Sequence, residues 1–412
     1  MLSPSACSMT GSASMTLEDV VIDISSGDWG QEQAGQGLDP ARVIRATDFA
    51  KAERKSLDGV PIRYLKTSSL AIRRLRSTDL LVEISGGSED RPTGRVLLIA
   101  GDMLVDPFPV AFSNFVKRMR VDTSKVHPSF FAYFWGYLYA QGHTRTYEKR
   151  TTGIRNFKLA DFLANERIPV VPLHEQGASA SVLDAMRRAQ TASEKLVMSM
   201  RELRRSLVRH LFTYGAVAMA DAERVALKRT DAGLMPESWE SAALGDIATL
   251  QRGHDLPVAE RSVGPYPVIG SNGVVGSHSE FKATGPGVLV GRSGSVGKVF
   301  WIDSDYWPLN TSLWVKDFHG NDARYVYYLL GYLDLQRYAA GVSVPTLNRN
   351  LIHPIRLAVP DYEEQKAIAT VLSAVDRRID AELRRLSALR TLFDTAVAEL
   401  MDGRRSVGVG IN

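Results

Sequence analysis

The sequence contains a single cysteine, Cys7, and this scarcity excludes two classes of site. One thiol forms no disulfide framework and supplies no thiolate cluster for zinc. The eight histidines include no His-x-x-x-His pair, the helical spacing at which two imidazoles bind one metal ion. We therefore predict neither a disulfide-rich secreted domain nor a metal site, and we expect no cofactor in this chain.

Long apolar runs are missing as well. The sequence has no stretch of about eighteen consecutive apolar residues, the length that crosses a bilayer. Residues 1–15 are rich in small side chains and lack the basic-then-apolar order of a secretory signal. We interpret them as a disordered leader, with Met15 as an alternative start, and we expect a cytoplasmic protein without membrane contact.

Catalytic motifs are incomplete. The segment GRSGSVGKVFW, residues 291–301, approaches a phosphate-binding loop, but Gly291 comes one residue too early and Val299 replaces the hydroxyl that would bind Mg²⁺. The acids of PDYEEQK, residues 360–366, lie within one helical turn. Nuclease carboxylates that share Mg²⁺ come from separate strands. We therefore expect no catalytic residues in this chain.

Positive charge is concentrated in two segments, although the net charge is only +4. These are residues 143–158, HTRTYEKRTTGIRNFK, and residues 63–76, RYLKTSSLAIRRLR. A single basic run is often no more than a solvated surface. Two such runs with interleaved Tyr, Thr and Asn make nucleic acid a candidate partner.

The chain contains an internal repeat. Gly153 matches Gly341 and Pro172 matches Pro360 at a shift of 188 residues, and Gln176 matches Gln365 at a shift of 189. Further upstream, YFWGYL at Tyr133 matches YLLGYL, and the glycine-rich segment 85–99 matches 292–302. A hairpin that holds backbone and cations against a polyanion tolerates such divergence better than a catalytic loop does. The repeat therefore predicts two similar domains.

Each copy ends in a long helix with heptad spacing. Apolar residues recur every three or four positions over about four heptads in both segments, which is typical of a coiled-coil seam. Two equal helices in one chain favour antiparallel pairing with each other. The predicted seam residues are Val182, Met186, Leu196, Met200, Leu203, Leu207, Leu372, Val375, Ile379, Leu386, Leu389 and Phe393.

These patterns predict an α/β (α+β) protein with irregular, largely antiparallel sheets in two tandem domains and two helices in an antiparallel coiled coil. The expected segments are a leader 1–15, a first domain 16–175, a helix 176–213, a linker 214–242, a second domain 243–363, a helix 364–403 and a tail 404–412. A helix of about 36 residues is ~54 Å long. That length corresponds to roughly sixteen base pairs of DNA.

Several segments, together with the tandem arrangement, resemble the specificity subunit of type I restriction-modification systems. They are LGDIATLQRG, YPVIGSNGVVG, GVLVGRSGSVGKVFWI, LNTSLWV and PDYEEQKAIATVLSAVD, all in the second copy. The likeness extends from about Leu17 to Gly403 and is looser in the first copy. Its most specific element is Pro-x-x-Glu-Gln, which ends at Gln176 and, with one extra residue, at Gln365.

The resemblance implies a non-catalytic subunit with two target-recognition domains. Each domain would recognise one half of an asymmetric, bipartite site in double-stranded DNA, and the helices would set the length of the nonspecific spacer. Two methyltransferase subunits would dock on the helices and methylate adenine with S-adenosylmethionine. A restriction/translocase subunit would use ATP and Mg²⁺. The chain would then be nucleoid-associated when it is bound to DNA.

Polar side chains in the matching turns are the candidates for DNA contact. In the second domain they are Ser271, Asn272, Arg292, Ser293, Lys298, Asn310 and Thr311. In the first domain they are Ser85, Arg95, Arg145, Tyr147, Lys149 and Arg150. Gly94, Gly294 and Gly297 are expected to serve hairpin geometry.

A helical scaffold that binds partner proteins without sequence-specific DNA recognition is the alternative. It predicts no basic cleft and no salt-dependent binding to DNA.

Overall fold

The computed structural model describes residues 13–54, 56–151, 154–341 and 345–402. The chain divides into two compact units. Unit 1 comprises the described residues up to Glu194 and those from Arg385 onward, and unit 2 comprises Lys195–Arg384.

Unit 1 is built on short strands and helices that precede the first long helix. Its strands are β1 Ser14–Thr16, β2 Val21–Ser26, β3 Leu38–Ile44, β4 Ile62–Lys66, β5 Leu80–Glu83, β6 Ser85–Gly86, β7 Val96–Leu98, β8 Val110–Phe112, β9 Val116–Val121, β10 Glu148–Thr151, β11 Ile154–Phe157 and β12 Arg167–Pro169. Its short helices are α1 Phe49–Ala52, α2 Thr67–Arg73, α3 Pro128–Ala140, α4 His143–Thr146 and α5 Leu159–Asn165.

Unit 2 repeats this plan. Its strands are β13 Leu227–Thr230, β14 Gly233–Pro236, β15 Glu240–Ala243, β16 Thr249–Arg252, β17 Tyr266–Gly270, β18 Gly273–His278, β19 Gly287–Gly291, β20 Val299–Ile302, β21 Trp307–Pro308, β22 Ser312–Asp317, β23 Ala339–Ala340, β24 Thr346–Leu347 and β25 Arg356–Val359. The long helices are α6 Leu173–Tyr214 and α10 Tyr362–Met401, and the short ones are α7 Leu244–Ile247, α8 Ala323–Tyr332 and α9 Arg349–Ile352.

The two units share one sheet topology. A four-stranded antiparallel sheet has the order β2-β9-β5-β7 in unit 1 and β16-β22-β19-β20 in unit 2. A three-stranded sheet has the order β4-β3-β8 or β18-β17-β21, and its middle strand is antiparallel to the first and parallel to the last. The repeat seen in the sequence is therefore a repeat of the fold.

The central strands are apolar because both their faces are covered. Residues 80–83 of β5 and 287–291 of β19 are buried throughout, and such continuous runs are typical of strands in the middle of a core. Helix α3 packs on the sheet of unit 1 through Phe131 and Trp135, which are almost fully buried. Tyr325 and Leu329 of α8 do the same in unit 2.

A buried glutamine attaches each long helix to its own domain. Gln176 Oε1 accepts a hydrogen bond from the amide of His127, the N-cap residue of α3, at 2.8 Å, and Gln365 Oε1 accepts one from Asp322, the N-cap residue of α8, at 2.9 Å. The amide nitrogens donate to Val171 O at 2.7 Å and to Pro360 O at 3.0 Å. The repeated glutamine of the sequence motif thus fixes the start of each helix.

The long helices pair in antiparallel directions. In unit 1, Gln190 Nε2 donates to Leu389 O at 3.0 Å, and Glu194 pairs with Arg390 at 2.7 Å. In unit 2, Arg204 binds Asp376 through two nitrogen–oxygen contacts of 2.5 and 3.3 Å. Within unit 1 the guanidinium of Arg187 also lies 5.2 Å from the ring of Phe393, so the contacted position on α10 falls from Phe393 to Leu389 as the position on α6 rises from Arg187 to Gln190. The expected fold class, α/β (α+β) with tandem domains and an antiparallel coiled coil, is confirmed.

The sequence pattern predicted the seam residues of α10 better than those of α6. On α10, Leu372, Ile379 and Leu386 are buried, and Val375, Leu389 and Phe393 are partly buried. On α6, Val182, Met186, Met200 and Leu207 are partly buried.

Leu196 and Leu203 require a correction, because they are 37% and 50% exposed. Val197 and Arg204 occupy the inward positions next to them. The inward face of α6 includes the polar residues Gln190 and Ser193. A prediction based only on apolar residues therefore cannot follow the inward face through this part of the helix. Neighbouring residues lie about 100° apart around a helix, and the prediction therefore slipped by one position.

Other expected boundaries also change. Ser14 and Met15 belong to β1, which pairs with β12, and not to a leader. The expected linker 214–242 contains the β13–β14 hairpin and most of β15, and Glu364 binds both Ala216 N and Trp239 Nε1 at 3.0 Å. Most of the expected leader, residues 1–12, and all of the tail lie outside the described residues. Among the described residues, no helix combines the length and apolar character that crossing a bilayer requires.

We predict that Gln365→Ala lowers the free energy of unfolding by about 1–3 kcal/mol, because it leaves the Asp322 amide and the Pro360 carbonyl without their partner. Chemical denaturation followed by circular dichroism measures the change. The control is Gln336→Ala, which alters an exposed glutamine of the same unit. Equal stability of the two variants would contradict the anchoring role.

Two leucines of the long helices test the corrected seam. Leu372→Ala removes a fully buried side chain and is expected to cost about 2–5 kcal/mol. Leu203→Ala changes a half-exposed side chain and is expected to cost about 0.5 kcal/mol or less. Thermal unfolding of both variants measures the difference, and a similar loss in each would restore Leu203 to the seam.

Candidate nucleic-acid interface

Three turns of unit 2 converge and carry the residues that the sequence singled out there. Ser271 N donates to Thr311 Oγ1 at 3.3 Å, and Arg292 N donates to Thr311 O at 2.9 Å. Ser295 Oγ donates to Asn272 Oδ1, and Asn310 Nδ2 donates to Asp255 Oδ1. The structure therefore gathers the turns after β17, β19 and β21 into one surface.

The predicted residues differ in what they expose on that surface. Asn272 and Lys298 are exposed, whereas Arg292, Ser293, Asn310 and Thr311 are partly buried. Ser271 is only 8% exposed, and it therefore supports the turn and presents little of its side chain to a ligand.

The glycine-rich turn after β19 does not have the open amides of a phosphate loop. Gly291 N donates to Lys298 O at 2.8 Å, and Gly297 N donates to Gly291 O at 2.9 Å. A Cβ at Gly291 would collide with the carbonyl oxygen of Ser295, and Gly294 and Gly297 have φ of 82° and 79°. The glycines thus close a hairpin, as the sequence predicted, and the amides of Gly291 and Gly297 are bonded within it.

A basic cleft lies beside this surface. It has a volume of about 680 Å³, and we call it the arginine cleft. No acidic residue lines it among those the structure describes. Its lining residues are Gln251, Arg252, Arg292, Leu313, Ala340, Thr346, Leu347, Asn348 and Arg349.

The arginines of the cleft are only weakly neutralised. Arg292 Nη1 donates to Asn310 O at 3.4 Å, and Arg252 lies 3.6 Å from Asp255 with both side chains more than half exposed. Arg349 is exposed at the start of α9. Exposed pairs at such distances contribute little, so the cleft keeps a positive potential that attracts an anionic ligand.

Sequence reasoning missed Gln251, Arg252, Asn348 and Arg349. Gln251 and Arg252 are the last two residues of β16, and Asn348 and Arg349 are the first two residues after β24. The segment LGDIATLQRG contains Gln251 and Arg252, but it was interpreted only as part of the family resemblance, and its polar end was not predicted to bind DNA. The cleft joins residues from β16, β19 and β24, which are far apart in the chain.

Arg95 in unit 1 requires a correction. It occupies the place of Lys298, because β7 pairs with β5 as β20 pairs with β19. Its guanidinium binds the buried Glu83 at 2.8 and 3.1 Å and donates to Ala46 O at 2.8 Å. Burial would lower the pKa of Arg95, but Glu83 outweighs it and the net direction is upward. Arg95 is therefore a structural ion pair and not a free cation.

Other candidates of unit 1 are divided between structural and exposed positions. Tyr147 Oη donates to Glu166 Oε1 at 3.1 Å, and burial together with that carboxylate raises its pKa to about 12. Ser85 Oγ donates to Asn156 Oδ1 at 2.5 Å. Arg145 and Lys149 are exposed. Arg150 lies in β10, and its side chain is outside the described part of the structure.

The same backbone frame carries different side chains in the two units. Ile84 of unit 1 occupies the position of Arg292. The Ile84 amide donates to Phe115 O, and the Ile84 carbonyl accepts from Phe157 N. In the same way the Arg292 amide donates to Thr311 O, and the Arg292 carbonyl accepts from Leu347 N. Lys117 pairs with Val82 where Leu313 pairs with Val290. Unit 2 thus has a cation, Arg292, directly after β19, whereas unit 1 has a cation, Lys117, on β9, the strand next to β5. Within the described ranges, no cluster of three or more His, Cys, Asp or Glu residues could hold a metal ion.

Comparison with known proteins gives a consistent result. Residues 236–390 match the family model of the type I restriction modification DNA specificity domain. The chain is 26% identical over 139 residues to the EcoprrI type I restriction enzyme specificity subunit of Escherichia coli, across 32% of this chain and 35% of that relative. It is 22% identical over 265 residues to the MjaVIII specificity subunit of Methanocaldococcus jannaschii, across 52% and 56%. The matches thus span between about a third and somewhat over half of these relatives' lengths.

Solved structures share the fold over almost the whole chain. The S subunit of a type I restriction-modification system from M. genitalium superposes with a TM-score of 0.65 at 17% identity, covering 97% of this chain and 98% of that one. A structure described as the basis of complex assembly and conformational transition of the type I R-M system gives a TM-score of 0.51 at 13% identity, covering 95% and 97%.

The matched domain, the related subunits and the repeated fold agree with the resemblance seen in the sequence. Residues 236–390 are therefore similar to the DNA specificity domain of type I restriction-modification systems, and the chain as a whole has the fold of the specificity subunits.

Proposed function

We propose that this chain is a sequence-specific DNA-binding subunit that recognises an asymmetric, bipartite site with a fixed nonspecific spacer. It directs adenine methylation or cleavage by partner subunits. The observation that carries the proposal is the arginine cleft, in which Arg252, Arg292 and Arg349 stand beside amide side chains in a concave surface.

The composition of the arginine cleft suits the edges of base pairs. Arginine forms bidentate hydrogen bonds with guanine, and Asn or Gln does so with adenine. Arg292, Gln251 and Asn348 supply these groups on strand ends and not on a long loop. The exposed Lys298 suits a phosphate contact, which positions the protein without contributing sequence information.

The two half-sites should differ. Both units hold their recognition residues on one backbone frame, but Ile84 replaces Arg292 and Lys117 replaces Leu313. A guanidinium and an alkyl side chain contact different base edges. An asymmetric target follows from this difference.

The long helices are the proposed determinant of the spacer. Helices α6 and α10 are continuous over 42 and 40 residues, and a continuous helix has a defined rise of about 1.5 Å per residue. We propose that their paired length sets the number of base pairs between the half-sites.

Methyl transfer and cleavage are assigned to partner subunits. Two methyltransferase subunits would carry S-adenosylmethionine, and a restriction/translocase subunit would carry ATP and Mg²⁺. Exposed apolar side chains on α6, among them Leu196, Met198 and Leu203, support docking of partners on the helices. The complex would act in the cytoplasm, on nucleoid DNA.

The principal test is to co-express the chain with a type I methyltransferase subunit from the same source genome and to map modified adenines by single-molecule sequencing. We expect one asymmetric motif of two short half-sites around a fixed gap. A soluble complex that yields no motif and shows no salt-dependent binding to duplex DNA would favour a helical scaffold instead.

Arg292→Ala should relax specificity at one position of the half-site recognised by unit 2. We expect a loss of about 1–3 kcal/mol in binding to the cognate site and a smaller loss on unrelated DNA, because one base contact disappears. Fluorescence anisotropy with both duplexes measures the ratio.

The matched control for Arg292→Ala is Arg229→Ala. Arg229 is exposed on β13 and does not line the arginine cleft, so the change removes the same charge elsewhere on unit 2. If both variants lose cognate binding equally, the contribution of Arg292 is general electrostatics and not base recognition.

A further inference from the structure

A second groove lies in unit 2 between α6 and α8. It has a volume of about 670 Å³, and we call it the helix groove. Its lining residues are Glu202, Arg204, Arg205, Val208, Arg209, Gly331 and Tyr332. It is built from different residues than the arginine cleft.

One wall of the helix groove is aromatic and partly open to solvent. Tyr332 is 42% exposed and stacks on Phe212 with ring centroids 4.9 Å apart and an interplanar angle of 10°. Gly331 and Val208 border this wall without polar side chains. A half-exposed, rigidly stacked tyrosine beside an apolar floor is typical of a surface that contacts protein.

The other wall of the helix groove carries cations that no strong partner neutralises. Arg204 is occupied by Asp376, but Arg205 is 71% exposed and only 4.0 Å from the equally exposed Glu202. Arg209 is exposed as well, and no side-chain bond to it is found among the described residues. Glu202 is the sole acid of the lining residues, so the groove keeps an excess of positive charge.

The corresponding positions of unit 1 do not carry these cations. The two long helices keep a shift of 189 residues, since Leu183 and Leu372 are both buried, as are Val197 and Leu386. At this shift Asp394 replaces Arg205 and Ala398 replaces Arg209.

Ring contacts in unit 1 support this correspondence of positions. The rings of Tyr133 and Phe393 lie 6.1 Å apart, and at the corresponding positions of unit 2 the guanidinium of Arg204 lies 5.9 Å from the ring of Tyr328. Tyr137 of the segment YFWGYL corresponds to Tyr332 of YLLGYL. The two units therefore differ in charge at corresponding positions of this surface.

We propose that the helix groove docks an acidic segment of a methyltransferase subunit, and that the two docking positions on this chain are inequivalent. The position on unit 2 depends on Arg205 and Arg209 and is sensitive to salt, whereas the position on unit 1 depends on apolar contact. This inference rests on the proposed function, because it takes the methyltransferase as the occupant. Charge complementarity favours an acidic partner, and the aromatic wall favours protein over a phosphate backbone.

The test is the stoichiometry of the complex with a type I methyltransferase subunit from the same source genome, measured by native mass spectrometry and sedimentation velocity. Raising NaCl from about 0.1 M to about 1 M shortens the screening length from about 10 Å to about 3 Å. We expect wild type to bind two subunits at low salt and to lose one at high salt. Arg205→Glu/Arg209→Glu should lose the same subunit at low salt, with affinity reduced about tenfold or more.

Matched variants control for folding and for charge. Arg205→Lys/Arg209→Lys keeps the charges and should retain two subunits at low salt. Asp394→Lys changes the corresponding position of unit 1 and should leave the salt-sensitive step unchanged. Circular dichroism of each variant checks that the helices are intact.

Several outcomes would overturn the inference. These are equal salt dependence of both subunits, failure of wild type to bind the methyltransferase, or retention of both subunits by the charge-reversal variant. Weaker binding of a fluorescent duplex by the charge-reversal chain alone would assign the arginines to DNA and would also overturn it. A wild-type complex that yields no methylated motif but shows the stepwise loss would reject the proposed function and leave the docking inference in place.

Discussion

The buried glutamine at the start of each long helix is the contact on which the arrangement of each unit depends. Gln176 and Gln365 lie at corresponding positions of the repeat. Each accepts a hydrogen bond from the amide of the N-cap residue of a domain helix, α3 or α8. An unpaired amide at that depth would cost about 1–3 kcal/mol, so the helix and the domain are held in one fixed orientation. The arginine cleft and the helix groove both lie in unit 2, whose domain and long helix this junction joins.

The repeated frame explains how one fold carries two chemistries. Backbone hydrogen bonds around Arg292 recur around Ile84, so the frame does not depend on the side chain that it presents. Where Glu83 replaces Gly291, it neutralises Arg95, and the cation is lost from the surface. A change at a buried position thus alters the exposed chemistry of its neighbour. Divergence of the two copies can proceed in this way without loss of the core.

Particular elements show how far the sequence predicted the structure. The repeat, the two helices and the hairpin role of Gly294 and Gly297 were all predictable from residue pattern. The prediction of the seam was wrong at Leu196 and Leu203, because two polar residues, Gln190 and Ser193, occupy inward positions just before them. Arg95 was misassigned because its partner Glu83 precedes it by twelve residues across a strand pair. Gln251, Arg252, Asn348 and Arg349 were missed because only folding brings them together.

The sequence by itself determined the duplicated architecture, the helical rod segments and the family resemblance, because these depend on local periodicity and on order along the chain. Tertiary structure alone decided which cations are free. Arg95 and Arg204 are bound to carboxylates, whereas Arg292, Arg205 and Arg209 face open grooves. The reason is physical: the effective charge of an arginine depends on the groups within a few ångströms of it, and those groups come from distant parts of the chain.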